Sequence, residues 1–279
     1  MAAPARRARP GELLLSELRL VFGRRRNQLA LLVLAGPPLL ISIALKTRGD
    51  HAGRGEGPPF LDSITQNGLF VALAALSIEM GLLLPLATAL VGGDSIAGEA
   101  QTGTLRYLLT VPVGRTRLLL VKYVGIVVYV GAGALLVSAV GMLSGLALFG
   151  GGTLTTLSGT PMPMGTAVVR VLLATAYVAA GLAALGAVGL FVSTLTEHPL
   201  AAMLVTVVIS TASFILDEIP QVDWLHPYLL THQWAAYADL FRDPVDLTNI
   251  GRGLYTDLAW AAVALLLARA RFTTADITS

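Results

Sequence analysis

The sequence predicts an all-α membrane protein: six transmembrane helices, an N-terminal amphipathic interfacial helix, and a short cytosolic helix between spans two and three. Three observations lead there. Of 279 residues, 55% are apolar and only 13% are charged, whereas a soluble domain carries about 25% charged residues. The charges cluster between long uncharged runs, and a bilayer core asks for about 20 apolar residues per helix, which sets the count at six. Basic residues then fall unevenly on the two sides those spans define, as cytoplasmic loops enriched in Lys and Arg require.

Residues 1–27 read as a cytosolic tail and interfacial helix. On a helical wheel over residues 12–26, Leu14, Leu15, Leu18, Val21 and Phe22 share one arc, while Glu12, Ser16, Arg19 and Gly23 share the opposite one. That is the pattern of a helix half-sunk at the membrane surface. Arg24, Arg25 and Arg26 follow at headgroup level. No cleaved leader is expected, because Arg6, Arg7 and Arg9 are followed by Glu12, Glu17 and three more arginines before any long apolar run.

Residues 28–271 form the membrane domain, and 272–279 a cytosolic tail. Span one is predicted over 28–45, bent at Pro37 and Pro38. Span two covers 69–91, interrupted only by Glu79 and Pro85. Span three covers 118–149 and passes Lys122, span four covers 168–192 with Arg170 in its first turn, and span five covers 199–216. Span six, 254–268, is the least apolar because it contains Asp257. Prolines and glycines are tolerated inside such helices, where neighbours satisfy the freed backbone groups.

The connections differ in character. Residues 46–68 are rich in Gly and Pro, residues 150–165 carry no charge, and residues 193–198 form a tight turn. The long acidic outer loop 217–252 holds Trp224, Tyr228, Trp234 and Tyr237, aromatics that suit short helices at the interfacial level. With the N-terminus cytoplasmic, thirteen Lys and Arg lie on that side and five on the other. Both termini are therefore expected inside, with 46–68 and 217–252 outside and 92–117 inside. No internal repeat is visible, which argues against transporters built from paired inverted repeats.

The most patterned segment is the connection 92–117. Asp94 or Ser95 can cap a short helix with Glu99 near its positive end. Gly103 breaks it, residues 104–110 can form a second short helix, and Val111-Pro112 ends that one before Arg115 and Arg117. A short helix projecting into the cytosol is what a membrane subunit needs to receive force from a soluble motor.

In order, Asp94, Gly98, Glu99, Gly103-Thr104-Leu105, Leu108-Leu109, Pro112, Arg115 and Lys122 resemble the intracellular-loop motif of the ABC-2 family of ABC transporter permeases. The basic amphipathic N-terminal helix, the six spans and the long outer loop before the last span are similar to that family too. Ala100 stands where a basic residue often follows the glutamate, and Val121 where glycine often precedes the lysine; both departures bear on charge pairing with a partner.

The resemblance implies a coupling helix, docked in a groove on a separate ATP-binding subunit. Its residues here are Asp94, Ser95, Ile96, Gly98, Glu99, Gly103, Thr104, Leu105, Arg106 and Leu108, with Glu99 the charged group best placed to meet the partner. A change at Glu99, outside the bilayer, is then expected to leave the permease folded. Two permeases, identical or paralogous, pair with two ATP-binding subunits in the bacterial cytoplasmic membrane. ATP and Mg belong to those partners, and no cofactor or catalysis to this chain. In keeping with that, no glycine-rich phosphate loop is present, since neither Lys46 nor Lys122 follows a glycine. A net charge of only +2 gives no case for nucleic acid.

The expected activity is export of a hydrophobic or amphipathic compound: a drug, antibiotic, lipid or peptide. Two alternatives stand beside it. One is a secondary transporter driven by an ion gradient, with Glu79 and Asp257 as relays. The other is an ABC-type subunit of a metal-enzyme maturation or signalling system.

An ionisable group in mid-span is costly and marks function by default, so Glu79, with Asp257, is a candidate for the substrate path. Glu79 can equally pair with Arg170 or sit protonated against a neighbouring helix, while Asp257 and Arg170 lie near span ends and can snorkel. Gly141-x-x-x-Gly145 reads as packing within one subunit rather than a dimer face. Met162 and Met164 could hold Cu(I), and some ABC-2 permeases serve copper-enzyme maturation. With no cysteine and four scattered histidines, however, no metal site is expected. Asp217, Glu218 and Asp223 read as a solvated acidic face.

Overall fold

Each apolar run is helical in the structure, a computed structural model that describes residues 10–49, 67–103, 114–152, 154–156 and 158–274. The N-terminal region gives α1 (Pro10–Gly23), α2 (Arg25–Leu34) and α3 (Gly36–Gly49). The membrane domain continues with α4 (Leu69–Met80), α5 (Leu83–Gln101), α6 (Arg115–Phe149), α7 (Met164–Ser193), α8 (Pro199–Asp217) and α9 (Thr248–Thr274). Five stretches are long and apolar enough to cross a membrane: Arg25–Thr47, α6, α7, α8 and α9. A sixth exists if α4 and α5, bent by 56° at their junction, form one broken span.

Several helix boundaries depart from expectation for physical reasons. Pro37 and Pro38 lie in the first turn of α3, where a missing N–H is no loss, and the interruption falls at Ala35 instead. Span two bends at Gly81 and Leu82 rather than at Pro85, which sits harmlessly in the first turn of α5. The predicted loop does not begin at residue 92. Once started, α5 meets no further proline and propagates to Gln101, so Asp94 and Ser95 lie in mid-helix and cap nothing. The last span is longer than predicted, and α9 begins just after Asp246, whose carboxylate accepts the Thr248 N–H at 2.9 Å. That bond holds the Asp246 carboxyl below the usual range.

The bundle is organised around α7, which packs against α5, α6, α8 and α9. Its interior face is small: Ala174, Gly181, Ala184, Gly186, Ala187 and Gly189 are all buried, and such residues let helix backbones approach closely. At the α5 crossing, a Cβ on Gly92 would lie 3.2 Å from the Gly186 carbonyl, and one on Gly93 would lie 2.7 Å from the Met203 nitrogen of α8. Gly141 and Gly145 pack α6 onto Ala72 and Gly68 at the start of α4, so that pair works within the chain. Large apolar side chains point outward, as in the α8 stripe Leu200, Leu204, Val208 and Ile215. This inverted arrangement suits lipid as solvent.

The uncharged connection before α7 forms a two-stranded antiparallel hairpin, β1 (Leu154–Thr155) and β2 (Pro161–Met162). Met162 is buried in the apolar core, and Met164 lies against Gly151; both thioethers serve packing. The long loop before α9 contains two 3-10 segments, Pro220–Tyr228 and Trp234–Phe241. Trp234, Tyr237 and Phe241 are buried, whereas Trp224 and Tyr228 face outward.

Candidate functional site

The α1–α2 corner sets the site. Asn27 donates its side-chain amide to the Val21 carbonyl at 2.7 Å, and Gln28 donates to Phe22 at 2.9 Å, satisfying carbonyls that the end of α1 leaves without helical partners. The Tyr129 hydroxyl of α6 donates to the Asn27 carbonyl at 2.9 Å. This corner turns Arg24 and Arg26 toward α5, where both guanidinium groups pair with the buried carboxylate of Asp94. One turn further along α5 stands Gly98, and any Cβ there would run into that carboxylate. The Asp-x-x-x-Gly spacing is therefore a steric pair: glycine leaves the room in which the aspartate lies.

Glu99 follows on the same helix. Its carboxylate accepts from Lys122 Nζ of α6 at 2.6 Å, and Glu17 of α1 stands 3.5 Å from the same nitrogen. The Lys122 side chain is 1% exposed. Three acids and three bases, drawn from α1, the α1–α2 corner, α5 and α6, thus balance in one cluster. A charge this deep persists only when paired.

Ser193, the last residue of α7, fastens α5 from its other side. Its Oγ donates to the Gly93 carbonyl at 2.8 Å and accepts from the N–H groups of Ile96 and Ala97 at 3.0 and 2.8 Å. Beyond this tie α5 ends with Thr102 as its last cap and Gly103 at φ +70°, the left-handed position that glycine fills at least cost. Arg115, at the start of α6, donates to the Phe272 and Thr273 carbonyls, closing off the last turn of α9. The end of α5, the start of α6, the α1–α2 corner and the end of α9 all meet at one end of the bundle.

Of the residues the sequence singled out, Asp94, Ile96, Gly98 and Glu99 are buried, Ser95 bonds back to the Gly92 carbonyl at 2.7 Å, and Gly103 is exposed. Glu99 is thus turned inward onto Lys122. Gln101, Thr102 and Gly103 are what this end presents outward. Thr104, Leu105, Arg106 and Leu108 lie outside the described residues. Sequence reasoning missed Glu17, Arg24, Arg26 and Ser193. The signal for Glu17 was available: it falls three residues after Leu14 and four before Val21, on the apolar arc of α1, where an acid needs a buried partner.

The two acids that the sequence predicts within spans stand apart from this cluster. Glu79, in the last turn of α4 just before the bend, is wholly buried, and neither carboxylate oxygen has a hydrogen-bond partner among the described residues. Arg170 does not pair with it and donates instead to the Arg242 carbonyl at 3.1 Å. Asp257 does not snorkel: it is buried, with Oδ2 likewise unpartnered among the described residues. At the end of α8, Asp217 is no simple solvated acid either, because His232 Nδ1 lies 2.6 Å from its Oδ1 and His226 closes on the same group.

Comparison with known proteins agrees with this architecture. A family model described as ABC-2 family transporter protein matches residues 24–213, a region that holds the whole ion-pair cluster except Glu17. A protein of Stutzerimonas stutzeri described as probable ABC transporter permease protein NosY is 36% identical over 115 residues, covering 39% of this chain and 41% of that one. Its counterpart of the same description in Pseudomonas aeruginosa is 45% identical over 53 residues, 19% of each chain. The chain thus spans less than half the length of the curated relatives it matches.

Proposed function

This chain belongs to the ABC-2 family of transporter proteins, and on that premise we propose that it is the membrane permease subunit of an ATP-binding-cassette exporter. The cargo is a hydrophobic or amphipathic compound, and ATP is hydrolysed, with Mg, on a separate subunit present in two copies. A second permease, identical or paralogous, completes the assembly. The relatives' description as ABC transporter permeases supports this reading, and the thirteen-to-five split of basic residues supports a cytoplasmic position for both termini.

The observation that carries the proposal is the fastening of the α5 end. A motor can move helices only through a lever rigidly joined to them. Here the exposed tip at Gln101–Gly103 continues a helix pinned by Asp94 to the α1–α2 corner, by Glu99 to α6 and by Ser193 to α7. A push on the tip and the segment after it is therefore delivered to three neighbouring helices together. Glu79 and Asp257 are the candidates for the substrate path, because ionisable groups buried in a membrane are kept there at a cost.

The test is to isolate the full chain from its native membranes under mild detergent. Recovery with an ATP-binding-cassette subunit, and hydrolysis that rises with the permease present, supports the proposal. Recovery alone, with accumulation of cargo in vesicles driven by an ion gradient and insensitive to ATP, would replace it with a secondary transporter.

A further inference from the structure

We propose that Asp217, His226 and His232 form a binding site for a divalent transition-metal ion, Zn2+ or Cu2+, in the connection between α8 and α9. Asp217 ends α8, His226 lies in the first 3-10 segment, and His232 lies just after it. From Asp217 Oδ1, His232 Nδ1 is 2.6 Å away and His226 Nδ1 is 3.9 Å away. One donor atom from each residue lies within 4.8 Å of the other two. Donors on a tetrahedral ion bound at the usual Zn–N distance stand ~3.3 Å apart, between the two spacings to Asp217 found here.

The hydrogen bonds around His226 make this more than a chance grouping. Its Nε2 faces the Leu216 and Ile219 carbonyls at 3.1 and 3.2 Å. Carbonyl oxygens only accept, so Nε2 carries a proton and Nδ1 is the ring atom left to face Asp217. An imidazole whose far N–H is held by a backbone carbonyl is also how proteins orient a metal-ligating histidine. The second imidazole, His232, stands beside the first with ring centroids 5.8 Å apart.

Two imidazole nitrogens and one carboxylate oxygen are a donor set suited to Zn2+ and Cu2+ rather than to Mg2+ or Ca2+. All three side chains are between 18 and 29% exposed, leaving an approach for the ion and a water as fourth ligand. His232 also lines a groove of about 610 Å3 with Tyr228, Tyr255 and Trp260, which gives the site a route to the surface. A nitrogen that ligates a metal must give up its proton, so affinity falls as protons become abundant.

The site is independent of the transport reading, and its test needs no ATPase. Tag-free full chain in detergent is titrated with Zn2+ alone against a chromogenic chelator. One equivalent is expected to bind, with His226→Ala and His232→Ala each weakening it by at least about tenfold and His198→Ala without effect. Absence of binding by the wild type, or equal binding by wild type and both variants, overturns the proposal. If a variant fails to purify, modification of the wild type by diethyl pyrocarbonate decides. Zn2+ must protect His226 and His232 while leaving His198 reactive, and equal modification with and without the metal overturns the site.

Discussion

Glu99 and Lys122, on different helices, meet at 2.6 Å, with the lysine almost wholly removed from solvent. Replacing both members of such a pair by apolar groups costs little, but removing one strands the other. Glu99→Gln leaves Lys122 only the more distant Glu17 at 3.5 Å and is therefore expected to destabilise the permease by up to about 3–5 kcal/mol, contrary to the expectation from sequence that a change at this position spares the fold. Adding Lys122→Met to it should recover most of the loss. Melting temperature in detergent and yield from the membrane read both outcomes. Single and double variants that melt like wild type would mean the pair is solvated and carries no structural weight.

The two glycines flanking this pair make different demands and should respond differently. A methyl group on Gly98 collides with the Asp94 carboxylate and must displace an ion pair held by two arginines. About 1–3 kcal/mol is expected for Gly98→Ala, typical of forcing atoms into a packed site. Gly103 meets no neighbour among the described residues and has its φ of +70° to protect, so Gly103→Ala should cost about 1 kcal/mol. Unfolding in denaturant ranks the two; the reverse order would mean that the Asp94 carboxylate has room to move.

The reading of Gly98 and Gly103 also marks how far the sequence could be read. Hydropathy located the five helices long and apolar enough to cross a membrane and the bent pair that can make a sixth, because the bilayer's demand for about 20 apolar residues is a one-dimensional constraint. What periodicity could not reveal was that α5 continues past residue 92, since Gly92 and Gly93 look like a helix end and are instead the close contacts with α7 and α8. Pairing across helices was invisible for the same reason. Arg24 and Arg26 read as headgroup ligands until the α1–α2 corner turned them onto Asp94, and the histidines at 226 and 232 looked scattered until the 3-10 segment folded them against Asp217.

Topology is open to a direct check, because the chain has no cysteine of its own. Single cysteines at Gly103 and Asp243 occupy exposed positions on segments expected on opposite sides. In intact cells a membrane-impermeant thiol reagent should label the Asp243 position strongly and the Gly103 position only after permeabilisation. The opposite pattern would invert the orientation and place the α5 tip out of reach of any cytosolic motor.

Glu79 sits where a carboxylic acid gains nothing for the fold, since neither oxygen has a partner among the described residues. Burying a polar group unpaired is destabilising, so Glu79→Gln and Glu79→Leu should melt at or above the wild-type temperature. If the side chain lies on the transport path, both variants should alter cargo transport while basal ATP hydrolysis by the partner stays near wild type. A variant that fails to accumulate in the membrane would instead make the acid structural.

Asp94 provides the cleanest separation of coupling from folding. Its partners Arg24 and Arg26 keep 35 and 40% of their side-chain surface exposed, so removing the acid leaves both with access to water. The loss should then stay below the cost of stranding Lys122, which is almost wholly removed from solvent. Asp94→Asn is therefore expected to yield a folded permease that still binds its ATPase subunit, because the exposed tip at Gln101–Gly103 is untouched. What it loses is the tie between α5 and the α1–α2 corner, one of the three joints that make the helix a lever. Permease-stimulated ATP hydrolysis and transport should both fall several-fold at near-normal recovery of the complex. Normal turnover in a variant shown to have lost the Asp94–arginine contact would mean that force does not pass through this corner, and the lever would rest on the joints to Lys122 and Ser193 alone.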